Sequence, residues 1–517
     1  METPIFESNF GFPAIFKWYV MIKVSKENEA KLIIECEDSG ILRELYEYYT
    51  FYADGYKFMP AYRNKFWDGK IRLFDLRTQQ LPYGLLTQTL DFATERRYDI
   101  NVDESIRFSW PEKDDLKKYI EESHISINGK SINPRDYQLD AFIHAARHKR
   151  CILLSPTGSG KSLIIYLLVR YFLDNSNKGL ISLIVVPTTS LVAQMSKDFA
   201  NYSALDDTFD AESEIHQIYS GKEKFNFDAS VVITTWQSAI KLPAQWFFQY
   251  GLVIGDEAHT FKAKSLTTIM NRLVNADYRI GTTGTLDNAM VNQLVLEGSF
   301  GPQYKVTTTK ELIDSDTLAQ LSIKCLVLKY SDESRKIVKS FKYQDEIDYI
   351  VSYEKRNKFI VNLTCDQKGN SLVLYNLVQK HGKPLYEMFQ NKVKGKRKVF
   401  FVSGAVNAEE RERIREITEK EKNAIIVASV GTFSTGINIV NLNNIVFASP
   451  TKSQIRVLQS IGRGLRKTTD GKPTTVFDIA DDLSWKSKKN YTLNHAIERI
   501  KIYAKEKFQT KTYEVPI

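Results

Sequence analysis

Apolar and polar positions follow two different rhythms along the chain, and these separate an amino-terminal part from a longer remainder. Residues 20–36 alternate with the period of a half-buried strand, and residues 40–52 carry apolar positions at the spacing of an amphipathic helix. A short strand over 71–76 and a helix near 84–97 follow. The pattern predicts a small α+β domain over residues 1–102, followed by a charged, turn-rich linker over 103–132.

From residue 150 onward, short apolar strands alternate with helix-like stretches. The first set of strands lies near 151–155, 180–186, 230–235, 250–258 and 278–284, and the second set lies near 371–377, 398–404, 423–429, 443–449 and 474–480. This alternation is typical of parallel sheets covered by helices on both faces. Because the pattern pauses near 300–325, we predict two tandem α/β lobes, over residues 133–320 and 321–517, rather than one large sheet.

Composition narrows the class of protein only slightly. The 517 residues carry 71 Lys+Arg against 62 Asp+Glu, a net charge of +9 that is compatible with a polyanionic partner. The four cysteines form no CxxC pair, which favours a reducing cytoplasm over a disulfide framework or a zinc site. No apolar run approaches the roughly 18 residues that a membrane span requires, and the amino terminus lacks the basic region of a signal peptide. We therefore expect a cytoplasmic protein that has no membrane partner.

The segment SPTGSGKS, residues 155–162, has the setting of a phosphate-binding loop because a strand precedes it and a helix follows it. Glycines allow the backbone to turn so that its N–H groups face phosphate, and the start of a helix favours an anion. Lys161 is predicted to reach the β- and γ-phosphates of ATP, and the Ser162 hydroxyl to bind Mg²⁺. The predicted nucleotide-binding residues of the loop are Thr157, Gly158, Ser159, Gly160, Lys161 and Ser162.

Asp256, Glu257 and His259 end an apolar strand about 95 residues further on, where ligands of a parallel sheet bind. Asp256 is predicted to hold Mg²⁺, and Glu257 to deprotonate the attacking water. His259 is predicted to link this site to the other lobe.

The order of these motifs over residues 130–480 resembles that of superfamily 2 helicases, which implies two RecA-like lobes with ATP and Mg²⁺ as cofactors. By this resemblance Arg135 and Gln138 lie at the adenine, and Gly436 belongs to the nucleotide-binding set. The segment 281–285 stands where the family has its coupling motif, with Thr283 and Thr285 retaining hydroxyls. The residues that the resemblance assigns to nucleic-acid contact in the lobes are Thr188, Thr189, Thr235, Trp236, Ser429 and Thr435.

Gln459, Arg463 and Arg466 also resemble a motif of this family, QxxGRxxR. On a helix they lie at i, i+4 and i+7 and share one face. Arginines directed at the γ-phosphate from the second lobe would act as arginine fingers, which contribute about 10³–10⁵ in rate. We therefore predict that these three residues are catalytic.

The tract 54–72 interleaves aromatic and basic residues, and Lys65 and Trp67 are its candidate nucleic-acid contacts. The alternative is that the aromatic residues form a small core. The tract resembles the amino-terminal domain of the UvsW family of phage recombination helicases. That resemblance implies a DNA motor of the host cytoplasm, acting on Holliday junctions, forks and R-loops in recombination, replication and repair. Its partners would be single-stranded and branched DNA, with RNA in R-loops, and it would act as a monomer.

Other functions fit parts of the same pattern. The motifs of the lobes alone would equally suit an RNA helicase or a duplex translocase that does not unwind. A different class is a clamp whose DNA affinity is switched by ATP, but Glu257, Arg463 and Arg466 argue against it because a pure switch needs no hydrolytic site. The basic run 392–398 is either a DNA contact or a solvated loop.

Overall fold

The computed structural model describes residues 21–53, 55–106, 110–176, 179–219, 228–261, 263–284, 290–315, 317, 321–406, 408–434, 442–449, 474–505 and 508–517. The chain divides into two compact units, Met1–Ser109 and Trp110–Ile517. The fold class predicted from the sequence is confirmed: a small α+β region precedes two parallel seven-stranded sheets.

The amino-terminal unit is built on a four-stranded sheet in the order β5-β2-β1-β6, with β3 and β4 forming a separate antiparallel pair. The single strand expected over 20–36 is wrong, because the chain reverses in the middle of it. The Asn28 side chain accepts hydrogen bonds from the backbone N–H groups of Ala30 and Lys31, which fixes a tight turn between two antiparallel strands. The elements of the unit are β1 (Met21–Lys26), β2 (Lys31–Glu35), α1 (Ser39–Tyr48), β3 (Thr50–Tyr52), α2 (Pro60–Arg63), β4 (Lys70–Arg72), β5 (Gln80–Pro82), α3 (Leu86–Arg96) and β6 (Asp99–Val102).

The stretch predicted as a linker is largely part of the first lobe. It contains α4 (Lys113–Glu122) and a hairpin of β7 (Ser126–Ile127) and β8 (Lys130–Ser131). Leu116, Ile120 and Ile125 are buried in the core of that lobe. The charges of α4 concealed this, because only one narrow stripe of the helix is apolar.

The first lobe has a parallel sheet in the order β11-β12-β10-β13-β14-β9-β15, with hydrophobic clusters on both faces. All seven residues of β13 are buried, as expected for a strand covered on both sides. Its elements are α5 (Asp136–His148), β9 (Arg150–Leu154), α6 (Lys161–Asn175), β10 (Ile181–Val186), α7 (Thr189–Tyr202), α8 (Ala211–Glu214), β11 (Ile215–Ile218), β12 (Val231–Thr235), α9 (Trp236–Ala239), β13 (Tyr250–Asp256), α10 (Ala263–Arg272), β14 (Tyr278–Thr283), α11 (Met290–Phe300) and β15 (Gln303–Lys305). The next helix, α12 (Thr309–Asp314), buries Leu312 in a hydrophobic cluster of the second lobe.

The second lobe repeats this architecture with the strand order β18-β19-β17-β20-β21-β16-β22. Its interior holds two ion pairs, Arg356 with Asp481 and Arg499 with Asp478. The elements are β16 (Leu321–Lys329), α13 (Asp332–Val338), α14 (Tyr343–Ser352), α15 (Glu354–Asp366), β17 (Ser371–Tyr375), α16 (Lys383–Val393), β18 (Val399–Val402), α17 (Ala408–Lys420), β19 (Ile425–Ser429), α18 (Val430–Ser434), β20 (Asn444–Phe447), β21 (Thr474–Asp482), α19 (Tyr491–Lys505) and β22 (Gln509–Pro516).

The first sheet ends at Lys305 and the second begins at Leu321, and we propose the predicted boundary at 320/321 as the division between the lobes. Within the ranges that the structure covers, no helix is both long and apolar enough to cross a membrane.

Candidate nucleotide and nucleic-acid sites

Three neighbouring strands of the first lobe bring the predicted ATPase residues to one edge of the sheet. β14 lies between β9 and β13, and all three run parallel, so their carboxyl ends meet. The loop 155–160 follows β9, and Asp256 is the last residue of β13. The Ser155 N–H donates to the carbonyl of Thr283, which anchors the start of the loop to the end of β14.

Gly158 and Gly160 both adopt positive φ, 87° and 81°. At Gly160 a side chain is excluded for a second reason, because a Cβ atom there would collide with the amide of Gln138. Gln138 is buried, and its Nε2 donates to the carbonyl of Ser159 at 2.8 Å. Its Oε1 accepts from the Arg135 N–H at 2.9 Å. The predicted adenine-side segment is therefore fastened directly to the phosphate loop.

Lys161 and Glu257 face one another across the site. The Lys161 Nζ lies 3.1 Å from Glu257 Oε1 and also donates to the carbonyl of Ser155 at 3.3 Å. Ser162, the next residue, has its Oγ 2.9 Å from the hydroxyl of Tyr202. The arrangement directs an ammonium group, a hydroxyl and a carboxylate into the same space beside the loop.

Asp256 is buried, and its Oδ1 accepts a hydrogen bond from Thr282 Oγ1 at 2.6 Å. Burial raises the pKa of Asp256 above its ordinary value, and the charge of Glu257 adds to the rise. Lys161 and the Thr282 hydroxyl act in the opposite direction. Asp256 and the Ser162 hydroxyl supply oxygen ligands of the kind that Mg²⁺ takes in nucleotide sites, where phosphates and water complete the set. In the described part of the chain, no group of three or more His, Cys, Asp or Glu forms a protein-only metal cage.

His259 connects this carboxylate pair to the end of β14. Its Nδ1 lies 2.6 Å from Thr283 Oγ1 and 3.5 Å from Glu257 Oε2. The predicted coupling residues His259 and Thr283 are thus in direct contact, whereas Thr285 lies outside the described residues. Glu257 itself has φ 49° and ψ 45°, a left-handed conformation that is uncommon for a non-glycine residue.

The predicted nucleic-acid contacts of the first lobe have unequal access to a ligand. Thr189 is exposed at the start of α7, and Trp236 is half-buried. Thr188 and Thr235 are helix N-caps, whose hydroxyls accept from the N–H groups of Leu191 and Ser238 respectively. Thr235 is also buried, so its hydroxyl fixes the backbone at the start of α9 and is not available to a ligand.

In the second lobe Ser429 is half-buried at the end of β19, and its hydroxyl bonds to that of Thr432 at 2.7 Å. The predicted residues Thr435, Gly436, Gln459, Arg463 and Arg466 lie outside the described residues. The basic run 392–398 contains one residue that is structural: the Arg397 guanidinium donates to the carbonyls of Thr364, Cys365, Gln367, Gly369 and Asn423.

The aromatic and basic tract of the amino-terminal unit lines a groove of about 550 Å³. Lys65 is exposed, but Trp67 is half-buried and its Nε1 donates to the carbonyl of Lys70 at 2.9 Å. The aromatic side chains that face solvent are Phe58 and Phe66, which are 76% and 85% exposed. Trp67 therefore packs inward, whereas the rings of Phe58 and Phe66 face solvent, and the nucleic-acid role of the tract stays a prediction.

Sequence reasoning named none of four residues near these sites as a site residue: Phe58, Phe66, Thr282 and Tyr202. Phe58 and Phe66 were among the aromatic residues of the tract. Each phenylalanine stands beside a basic residue in the tract, which was the available signal. Thr282 was visible as the first threonine of the segment 281–285, but its pairing with Asp256 depends on strand register. Tyr202 is 40 residues from Ser162 and carried no local signal.

Three family descriptions match the chain, and they follow the order of its parts. Residues 21–103 match "DNA helicase UvsW, N-terminal", residues 131–288 match "Type III restriction enzyme, res subunit", and residues 354–468 match "Helicase conserved C-terminal domain". A fragment of a putative HsdR subunit of a type I restriction enzyme from Vibrio vulnificus shares the fold, with a TM-score of 0.53 at 18% identity over 74% of this chain and 69% of that one. The two RecA-like lobes, together with these family matches, identify the chain as a superfamily 2 helicase.

The similarity to one helicase extends over nearly the whole chain. The ATP-dependent DNA helicase uvsW of Enterobacteria phage T4 is 37% identical over 508 residues, which cover 94% of this chain and 98% of the relative. The crystal structure of T4 UvsW aligns with a TM-score of 0.52 at 36% identity, covering 96% of this chain and 99% of that one. The chain belongs to the UvsW family of helicases.

Proposed function

We propose that this protein is an ATP-dependent DNA helicase and translocase that remodels branched DNA in recombination, replication and repair. The observation that carries the proposal is the 37% identity over 94% of the chain to an ATP-dependent DNA helicase. Its branched substrates are Holliday junctions, forks and R-loops. It acts as a monomer in the host cytoplasm. The amino-terminal unit supports this choice over a general RNA helicase, because it matches a description specific to a DNA helicase.

ATP binds at the loop 155–162 of the first lobe. Backbone N–H groups around Gly158 and Gly160 and the start of α6 face the phosphates, with Thr157 and Ser159 in the same loop. Gln138 and Arg135 lie on the adenine side. Ser162 and Asp256 would hold Mg²⁺, and the bound ion would supply positive charge to neutralise the phosphate oxygens.

The contact between Lys161 and Glu257 suggests how binding prepares hydrolysis. The Lys161 ammonium exchanges the Glu257 carboxylate for phosphate oxygens, which frees Glu257 to act as a base. Glu257 then accepts a proton from water as the water oxygen attacks the γ-phosphorus and the bond to the β-phosphate oxygen breaks. Arg463 and Arg466, with Gln459, stabilise the charge from the second lobe, where Gly436 also lines the nucleotide. A change in the position of His259 is transmitted to β14 through its contact with Thr283.

Nucleic acid is contacted by both lobes. Thr188, Thr189 and Trp236 of the first lobe and Ser429 and Thr435 of the second supply hydroxyls, backbone amides and one ring, groups that suit phosphates and stacking rather than base edges. Thr235 positions its segment, and Thr285 extends the coupling motif. Lys65 and Trp67 belong to the amino-terminal surface, where Phe58 and Phe66 provide the stacking rings. Closure of the lobes around ATP changes the spacing of these contacts and drives stepping.

The first test is the steady-state ATPase rate without nucleic acid, then with single-stranded DNA, a four-way DNA junction and RNA of equal length. We expect DNA to stimulate the ATPase rate strongly, and the junction to stimulate it most. Lys161→Ala should show no stimulation of the rate but should still bind DNA. Stimulation by RNA alone would show an RNA-remodelling enzyme instead. A rate that no nucleic acid changes would contradict the motor and favour the ATP-regulated clamp.

The amino-terminal surface is tested in the full chain by Phe58→Ala with Phe66→Ala. Stacking contributes about 1–3 kcal/mol per base, so binding of a junction should weaken about 5-fold or more. Leu76→Ala, which truncates another exposed apolar residue of the same unit, is the matched control. Equal junction affinity in both variants would remove the stacking role.

A further inference from the structure

A second basic surface lies on the second lobe, where two segments distant in sequence run side by side. Residues 331–346 include α13 and the start of α14, and residues 484–495 follow β21 and begin α19. The Arg335 Nε donates to the carbonyl of Ser484 at 2.7 Å, and the Tyr491 N–H donates to Glu346 Oε2 at 3.0 Å. The segments are thereby joined at both ends. The surface, called here the lysine face, consists of Lys336, Lys339, Lys342, Lys486, Lys488 and Lys489.

The lysine face carries a local excess of positive charge. All six side chains are exposed, and none has a carboxylate oxygen of a described residue within 4.0 Å. Other lysines of the same lobe are paired, Lys329 with Asp482 and Lys380 with Asp348 among them. Over 331–346 there are four basic and four acidic residues, and over 484–495 there are three basic and none acidic, so 7 − 4 leaves +3.

Exposed lysines are often only a solvated surface, but these stand on a rigid base that includes aromatic rings. The ring of Trp485 lies 5.6 Å from Lys336 Nζ, and Trp485 forms a β-bridge with Lys488. Below them the buried Asn490 Nδ2 donates to Glu346 Oε1 at 2.9 Å. Beside them Tyr343 and Tyr491 are 43% and 44% exposed, with ring centroids 6.0 Å apart. Cations and rings held in place in this way suit a polyanionic backbone better than a featureless solvated surface does.

The position of the lysine face matches the edge of the sheet that the helicase motifs use. Ser429 ends β19 and the hairpin after Leu483 follows the end of β21, and the strands are parallel, so both lie at the same edge. β17 and β20 intervene, which places β21 about 14 Å from β19 at the usual strand spacing of roughly 4.8 Å. The lysine face therefore lies at the same edge of the sheet as the predicted strand contact Ser429.

We propose that the lysine face is a further DNA-binding site, which holds the phosphate backbone of a duplex arm of the branched substrate. This inference rests on the proposed function, because it assumes that the lobes engage DNA. It adds that the second lobe grips duplex in addition to the strand on which the motor steps.

The test compares Lys486→Gln/Lys488→Gln/Lys489→Gln with a control triple, Lys113→Gln/Lys117→Gln/Lys118→Gln, which removes the same charge from three exposed lysines of α4. Affinity is measured in the full chain for a fork with two duplex arms and for a single strand, between 50 and 200 mM salt. Three lost phosphate contacts lower the slope of log K against log salt by about 2.7. Over that fourfold range in salt, the wild type should lose roughly 40-fold more fork affinity than the test triple does.

Single-strand affinity should change little in the test triple, and the control triple should match the wild type throughout. Fork binding of the test triple equal to that of the control would overturn the proposal, and so would equal losses for fork and single strand. If the wild type binds neither DNA, the proposed function itself fails. Thermal unfolding of both triples establishes that they are folded.

Discussion

Gln138 offers a quantitative test of the nucleotide site, because both ends of its buried amide are used by the protein. In Gln138→Glu the bond from the Arg135 N–H is retained, but an ionised carboxylate has no proton to donate to the carbonyl of Ser159. Two oxygens would then face each other at about the 2.8 Å of the present bond. Leaving a buried acceptor unpaired costs about 1–3 kcal/mol. At 1.36 kcal/mol per tenfold, the KM for ATP should rise roughly 5- to 150-fold if the loop must hold its present shape.

The defect should depend on pH with a definite sign. The protonated carboxyl can donate to Ser159, so the neutral form reproduces the amide and the ionised form does not. Burial against a carbonyl raises the pKa of an introduced carboxyl above the usual value near 4.3. The ratio of variant to wild-type KM should therefore fall toward one as pH decreases and grow as pH increases. The assay is the KM for ATP of DNA-stimulated hydrolysis from pH 5.5 to 8.5.

Two further variants separate this cause from general damage. Gln138→Ala loses both bonds and cannot titrate, so its defect should follow no such pH trend. Gln249→Glu removes an equivalent bond from Nε2 to the carbonyl of Trp246, 2.9 Å long, elsewhere in the same lobe, and should leave the KM unchanged. A Gln138→Glu enzyme with wild-type KM at pH 8, or with a pH-independent defect, would refute the reasoning.

Three other perturbations have expected outcomes. Arg466→Ala should lower kcat about 10³- to 10⁵-fold with little change in nucleotide affinity, measured by single-turnover hydrolysis and direct binding; a loss confined to binding would contradict the finger role. Thr282→Val removes a hydrogen bond that lowers the pKa of Asp256, so the acid limb of the pH profile of kcat/KM should move to higher pH. Burial lowers the pKa of His381 to about 3, so folding favours the neutral ring. The free energy of unfolding that this preference contributes is present above pH 6.5 and is lost as pH falls toward 3. When the pH is lowered from 7.5 to 5.5, the free energy of unfolding of the wild type should therefore fall by about 1.4 kcal/mol more than that of His381→Gln. This corresponds to a difference of roughly 3–6 °C in the unfolding temperature of the second lobe.

The sequence predicted those parts of the site that depend on a single stretch of chain. The phosphate loop could be recognised because a strand, a glycine-rich turn and a helix follow one another within about 25 residues. Asp256 could be placed at the edge of the sheet because an apolar run ends there. The linker prediction failed for a related reason: α4 is charged over most of its surface, and only the packed lobe shows that Leu116 and Ile120 lie in its core.

Side-chain partners could not be predicted, because they depend on register and on contacts between distant segments. Thr282 and Thr283 are neighbours with the same hydroxyl, and adjacent residues of a strand point to opposite faces of the sheet. β14 pairs with β13 so that Thr282 stands beside Asp256, whereas Thr283 meets His259. A shift of one residue in that register would exchange the two roles. The division of labour between the two threonines is therefore a property of the folded sheet, and it makes Thr282 a stricter test of the role proposed for Asp256 than the residues named from the motif.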